Sequence, residues 1–170
     1  MQTLCIILCC IFSAATVLAD CNSNMTASTS NSQLIDNGNG TITDLKTGLM
    51  WKQCLEGVSG SSCETGLPDT FTWQQALQQP GLVNNAGGFA GYTDWRLPNV
   101  KELVSLVEEQ CYTPAINSDR FPNTPSSGVW SGSPYALYAD SAWYVNFNYG
   151  DSGAYFRNSN YAGRWVRSGQ

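Results

Sequence analysis

The sequence contains no histidine. That excludes a Ser-His-Asp or Cys-His catalytic arrangement outright. Charge is scarce: 12% of residues are Asp, Glu, Lys or Arg, and no basic run occurs. The balance is acidic, with 13 acidic against 8 basic residues and a net charge of −5. Such a chain is a poor candidate for binding nucleic acid or anionic membranes. No CxxC spacing is present, so a four-thiolate metal site is not favoured. The only long apolar run is Leu4 to Phe12, and it is too short to span a bilayer.

That run reads as a secretory signal. Small residues follow it, and Val17-Leu18-Ala19 fits a signal-peptidase site, which places the mature start at Asp20. Residues 1–19 are therefore the signal and residues 20–170 one binding domain, long enough for a core. The n-region lacks Lys and Arg. A lipid anchor on Cys21 ranks second, because Asp20 stands where a small residue is needed. Cys5, Cys9 and Cys10 leave with the signal. Cys21, Cys54, Cys63 and Cys111 remain, an even number for an oxidising compartment, which allows three pairings. The short Gly/Ser loop between Cys54 and Cys63 favours their pairing and leaves Cys21 with Cys111.

The chain is organised around Gly91 to Leu103. Pro98 disfavours helix at Leu97. Asn99 is an N-cap, and Glu102 completes a capping box. Val100, Leu103, Val104 and Val107 then form one apolar stripe of a helix expected to run to about Glu109. Asp94 and Arg96 flank Trp95 two residues apart and are expected to form an ion pair locking the helix entry.

Upstream, Asp36-Asn37-Gly38-Asn39-Gly40 is a turn signal leading to strand Thr41–Asp44, a second turn and strand Leu49–Trp51. The turn lacks the acidic third position and distal Glu of a calcium loop. Phe71 to Leu77 reads as the first helix, capped by Thr72 with Gln75 and ended by Pro80-Gly81. Asn84 to Gly91 reads as a flexible loop. Thr113 to Asn117 and Phe121 to Pro125 are Pro-punctuated extended segments. Beyond Ser127 the pattern is all β, with strands at Val129–Ser131, Ala142–Tyr149, Ala154–Asn158 and Arg164–Arg167. Turns are expected at Gly150–Gly153 and Ser159-Asn160.

These last strands carry the functional signal. Alternation places Trp143, Val145, Phe147 and Phe156 in the core. It leaves Tyr144, Asn146, Asn148, Tyr149, Asp151, Tyr155, Arg157, Asn158, Asn160 and Tyr161 on one outward face and its turns. Tyrosine with Asn, Ser and Asp combines rigid aromatic area with adaptable hydrogen bonding, as in antibody binding loops.

The chain resembles the Lcl C-terminal domain family, named for a bacterial collagen-like surface adhesin. The matching motifs are Asp36 to Asp44, Thr47-Gly48-Leu49-Met50-Trp51, Gly91 to Leu103, Pro114-Ala115-Ile116-Asn117, Phe121 to Pro125 and Val166 to Gln170. The resemblance implies an α+β, C-type-lectin-like fold with two helices packed on a twisted antiparallel sheet. It also implies ligand binding at the cell surface, with sulfated polysaccharide ligands and a trimer in the adhesin itself. This sequence has no collagen repeats, and it is locally basic only after Ser141, where Arg157, Arg164 and Arg167 face Asp151. Some relatives are targets of diversity-generating retroelements, and the Asn, Tyr, Asp, Ser and Gly mixture from Asn146 to Tyr161 suits that. The more distant formylglycine-generating fold uses a cysteine pair near its C-terminus, whereas no cysteine follows Cys111 here. The calcium-ligand tripeptides of lectins are absent as well.

The sequence thus reads as a secreted or surface-displayed, disulfide-bonded binding module that is not an enzyme. Its expected partner is an extracellular glycan or protein, without cofactor, metal, nucleic acid or membrane span. Two alternatives stand beside it. One is an envelope polysaccharide hydrolase using a carboxylate pair such as Glu108 and Asp119. The other is a structural subunit of a surface appendage.

Overall fold

A computed structural model describes residues 19–169. The expected signal and its cleavage site at Val17-Leu18-Ala19 lie outside or at the very start of them. Strand β1 (Asp20–Cys21) is followed by a meander of β2 (Leu34–Asp36), β3 (Thr41–Asp44) and β4 (Leu49–Lys52). Then come β5 (Val58–Ser59), β6 (Thr65–Gly66), β7 (Thr70–Phe71), helix α1 (Trp73–Asn85), helix α2 (Val100–Val104) and β8 (Cys111–Tyr112). The last third is β9 (Gly128–Pro134), β10 (Ser141–Asn146), β11 (Asp151–Phe156), β12 (Tyr161–Ala162) and β13 (Val166–Ser168). The class is α+β, and the strand pairs are antiparallel except for β12 on β9. No described helix is long and apolar enough to cross a membrane.

Two larger sheets hold the core. One is four-stranded, in the order β13-β4-β3-β2; the other is five-stranded, in the order β11-β10-β9-β12-β7. Leu34, Ile42, Trp51, Leu103, Phe121, Val145, Phe147 and Val166 form one fully buried cluster. Met50, Ala76, Trp95, Trp130, Ala142 and Trp165 form a second. Helix α1 packs on β9 and β7, and α2 on β9, β10 and β11.

Local chemistry explains the elements. Asp36 Oδ1 accepts from Gly38 N–H at 2.8 Å, and Asn37 donates to Thr41 and Thr43. Gly38 sits at φ +71°, which a Cβ would strain. Both helix N-termini carry complete capping boxes, Thr72 with Gln75 and Asn99 with Glu102. Two disulfides join Cys54 to Cys63 and Cys21 to Cys111.

Several expectations are corrected. Helix α1 continues past Pro80 to Asn85. An interior proline forfeits a hydrogen bond and costs roughly 3 kcal/mol in isolation. Here tertiary contacts outweigh it: Pro80 is buried, and Asn84 clamps the Trp95 backbone by donating to its C=O at 2.8 Å and accepting from its N–H at 3.1 Å. The segment after Asn84 is therefore no free loop, and Phe89 and Tyr92 pack edge-on against Trp95.

Helix α2 ends at Val104 and not near Glu109. Ser105 Oγ bonds back to Glu102 O, Val107 bridges to Ile116, and Glu108 is drawn beneath the N-terminal tail. Consequently Leu103 and Leu106 are the buried residues, while Val104 is exposed. Cys111 ties the tail to β8, beyond the helix.

Asp94 and Arg96 do not pair with each other. Arg96 makes a two-pronged ion pair with the capping Glu102 at 2.7 and 2.8 Å, and Asp94 pairs with Arg167 of β13. Each side chain finds a partner that also fixes a backbone junction.

The β10–β11 turn occupies Phe147 to Gly150, so Asp151 to Gly153, expected as turn, are strand. Val145 and Phe147 are buried as expected. Trp143 is only half-buried and Phe156 is 56% exposed. The reason is topological: β11 is a sheet edge, and β10 is irregular between Ala142 and Tyr144. Alternation itself holds, since the register puts Phe156 on the same face as Trp143, but at the edge strand that face is left largely uncovered.

Candidate functional site

The ten outward residues divide into three places. Tyr144, Tyr155 and Tyr161 come together on the five-stranded sheet. The Tyr144 and Tyr161 rings stack 4.9 Å apart at an interplanar angle of 2°. Tyr155 meets Tyr144 edge-on at 6.1 Å and Tyr161 at 5.7 Å. Trp130 lies against both stacked rings, at 4.9 Å from Tyr161 and 6.3 Å from Tyr144. Its indole N–H donates to Phe71 O at 2.8 Å, which fixes the plane.

Two glycines make room for this platform. A Cβ at Gly128 would stand 2.5 Å from the Tyr161 ring, and one at Gly153 would stand 3.1 Å from Tyr144. Burial, with Asp151 and Tyr155 nearby, pushes the Tyr144 hydroxyl pKa up. Burial does the same to Tyr161, helped by Tyr144 and Tyr155. Both hydroxyls therefore remain donors throughout the neutral range. Asp151, across from Asn146, is exposed at the margin.

Arg157 and Asn158 lie elsewhere, on a cleft shared with Thr72, Trp73, Gln74 and Leu77 of the α1 end. The Arg157 guanidinium lies 4.3 Å from the Trp73 ring centre, and its Nε–H donates to Ser141 O. Asn146 and Asn148 serve the turn: Asn148 N–H donates to Asn146 Oδ1, and Asn148 O accepts from Thr113 N–H. Tyr149 is exposed at the turn, and Asn160 is exposed before β12.

Sequence reasoning missed a groove on the other flank of Tyr155. Tyr135, Tyr138, Asp140, Ser141, Ala154, Tyr155 and Phe156 line a cavity of about 510 Å³. Tyr135 packs on Tyr138 at 5.9 Å and edge-on to Trp143 at 5.1 Å. Both Tyr155, at 46%, and Phe156 are exposed. The signal was the spacing Tyr135-x-x-Tyr138-x-Asp140, which places two rings and a carboxylate on a short connection.

A second cleft contains Glu108 and Asp119 together with Asn31, Asn117 and Cys111. Glu108 Oε1 accepts from Ser28 N–H and Oγ–H and from Gln110 N–H; Oε2 accepts from Thr29 N–H and Oγ–H. Burial pushes its carboxyl up, yet these donors hold it below the usual carboxylate value. Asp119 Oδ2 accepts from Asn31 at 2.8 Å. An ionised carboxylate with donors on both oxygens is a structural staple for the N-terminal tail and a poor proton donor.

Arg164, also outside the site, is wholly buried and among the described residues has no acidic partner. It donates to the backbone carbonyls of Lys52 and Gln53 and to Thr124 Oγ1, and it faces the Phe121 ring at 4.7 Å. Burial pulls its pKa down to about 9.

A comparison with curated proteins finds no match. A family model described as the Lcl C-terminal domain matches residues 40–167, which include the five-stranded sheet, the four-stranded sheet apart from β2 and the end of β13, both helices, the tyrosine platform and the groove. The chain belongs to the Lcl C-terminal domain family.

Proposed function

We propose that this chain is an exported, surface-displayed binding module of C-type-lectin-like fold, and that it holds a neutral carbohydrate without transforming it. The observation that carries the reading is the aromatic platform of Tyr144, Tyr161 and Tyr155, of which Tyr155 also lines the Tyr135–Tyr138 groove. Flat rings backed by a fixed Trp130 suit the apolar face of a sugar. Tyrosine hydroxyls with Asp140 and Asp151 on the margins suit its hydroxyls. The charge pattern favours a neutral over a sulfated ligand. The rim supplies carboxylates, Arg157 leans on Trp73, and the chain carries −5 overall. Family membership and the two disulfides support display outside the cytosol. The hydrolase alternative needs an available carboxylic acid, and Glu108 has both oxygens engaged.

The test is a glycan-array screen followed by calorimetry on the best hit. Tyr155→Ala should lower affinity about thirtyfold, as for an interface hot spot, with an unchanged melting temperature. Equal binding by wild type and variant would place the site elsewhere. Release of reducing ends from any bound glycan would overturn the non-catalytic part of the reading.

A further inference from the structure

Strand β11 is the outer strand of the five-stranded sheet. Arg157 N–H donates to Asp140 O, continuing the ladder of β11 on β10. Backbone direction alternates along a strand, so Asp151, Gly153 and Tyr155 also turn N–H and C=O towards β10. Ser152, Ala154 and Phe156 therefore turn theirs outward. Among the described residues, the only main-chain bond made by these three groups on the open side is Phe156 O accepting from Ser159 N–H. Open edges of this kind are normally blunted by lysine, proline or a bulge. From Asp151 to Phe156 there is no lysine or proline, and the β10–β11 register runs unbroken.

We infer that β11 pairs antiparallel with β11 of a second copy of this chain, about a two-fold axis through Ala154, joining two five-stranded sheets into one. This register is self-complementary at every step. Ala154 meets Ala154, and Ser152 meets Phe156, so all three outward-facing residues fall in hydrogen-bonded pairs. Gly153 meets Tyr155, so each aromatic ring covers the other copy's glycine. Asp151 meets Arg157; among the described residues neither has an ion-pair partner, and Arg157, which rests on Trp73 and donates from Nε to Ser141 O, keeps its Nη groups for the other copy's carboxylate. A neutral strand with opposite charges at its ends prefers an antiparallel copy of itself to a copy in parallel.

A separate observation points the same way. Val100, Lys101, Val104, Trp143 and Ser152 line an open cavity of about 260 Å³. Val104 is exposed there, and Phe156 is exposed at the other end of β11. Ser152 and Phe156 have the same parity, so both project from the same face of the strand. In the two-fold register, Phe156 lies opposite the other copy's Ser152, beside that cavity. One copy's exposed ring thus fills the other's vacant space, twice over. The pairing also places two tyrosine platforms on one continuous face, an arrangement suited to repeating ligands.

Sedimentation equilibrium of the oxidised mature chain, without ligand, tests the pairing. Wild type should fit a monomer–dimer equilibrium. Ala154→Pro should be monomeric with unchanged near-ultraviolet circular dichroism, because it removes only an outward N–H. Asp151→Arg and Arg157→Asp should each weaken the dimer about tenfold or more by opposing like charges, and the double exchange should restore it. A wild type that stays monomeric at its highest soluble concentration, or that forms a trimer, would overturn the proposal. So would a dimer that survives Ala154→Pro. Should that variant fail to fold, the charge series decides: a double exchange no better than the single ones also overturns the pairing.

Discussion

Arg167 Nε–H donates to Asp94 Oδ1 at 2.7 Å, and Nη2–H to Oδ2 at 3.2 Å, tying β13 to the loop before α2. The same guanidinium lies 3.9 Å from the Tyr92 ring centre. One arginine near the chain's end therefore organises both the acidic and the aromatic side of the Gly91 to Leu103 stretch.

Asp94 is largely solvated, so Asp94→Asn should cost under about 1 kcal/mol, as for surface pairs. The hydrogen bond from Arg167 holds the Asp94 carboxyl below its ordinary value. A depressed folded pKa gives stability that is present above the unfolded value and lost as pH falls through the folded one. Denaturant titrations should therefore show wild type and variant differing at pH 7 and converging in the acid range. A difference that persisted at pH 2 would assign the effect to packing instead.

Glu108 should matter far more. Glu108→Gln replaces an acceptor oxygen with donors facing Ser28, Thr29 or Gln110 N–H groups. Hydrogen bonds to a charged group are worth about 1.5–3 kcal/mol, and the buried donors would lose theirs. A loss of about 3 kcal/mol or more is expected at neutral pH, together with faster hydrogen exchange at Ser28 and Thr29. The Glu108 carboxyl is depressed, so the wild-type advantage should also fade on acidification below its ordinary value. Exchange rates unchanged by the variant would remove Glu108 as the staple.

The two disulfides should contribute unequally. The sequence separations are 9 for Cys54–Cys63 and 90 for Cys21–Cys111. Loop-closure entropy then gives roughly 3 kcal/mol for the first and between about 4 and about 5 for the second. Paired Cys→Ala variants under thermal denaturation check the order. Free thiols at these four cysteines, detected by mass mapping of the protein as purified, would remove both contributions.

Trp130→Ala should cost about 3–5 kcal/mol as a large-to-small core change, since Trp130 is fully buried beneath the platform. Trp143→Ala should cost clearly less, because its ring is half-buried beside α2. The reverse order of melting temperatures would show that the platform has no rigid floor.

That last contrast marks where the sequence was legible. Capping pairs, the Asx turn at Asp36 and the opening meander were readable because their causes lie within a few residues of each other. The family motifs were legible too. What the sequence hid was decided at a distance. Arg96 chose Glu102 over Asp94 because the capping carboxylate was already fixed. Pro80 stayed helical because Asn84 had to reach Trp95. Phe156 kept the face that alternation gives it but stayed exposed because β11 is the outermost strand, and sequence alternation does not show which part of a face is covered. Within the site, Tyr144, Tyr155 and Tyr161 were named and do converge, whereas Arg157 belongs to another cleft and the Tyr135–Asp140 connection went unread.

Salt dependence separates the two ligand classes open to such a site. A sulfated polysaccharide would be held by cations, and the attraction would weaken as the screening length shrinks from about 10 Å at 0.1 M towards about 3 Å at 1 M. The platform and groove offer instead Asp140, Asp151 and tyrosine hydroxyls, while Arg157 is held against Trp73 and Ser141 O. Stacking and neutral hydrogen bonds are nearly insensitive to ionic strength. Affinity for the best array glycan should therefore change less than about twofold between about 0.05 and about 0.5 M NaCl. It should also stay level from pH 6 to pH 9, because the Tyr144 and Tyr161 hydroxyls are raised above the ordinary tyrosine range and remain protonated there. A drop of about tenfold or more with salt would show that charge holds the ligand, and would move the site from the tyrosines to Arg157 and its cleft on α1.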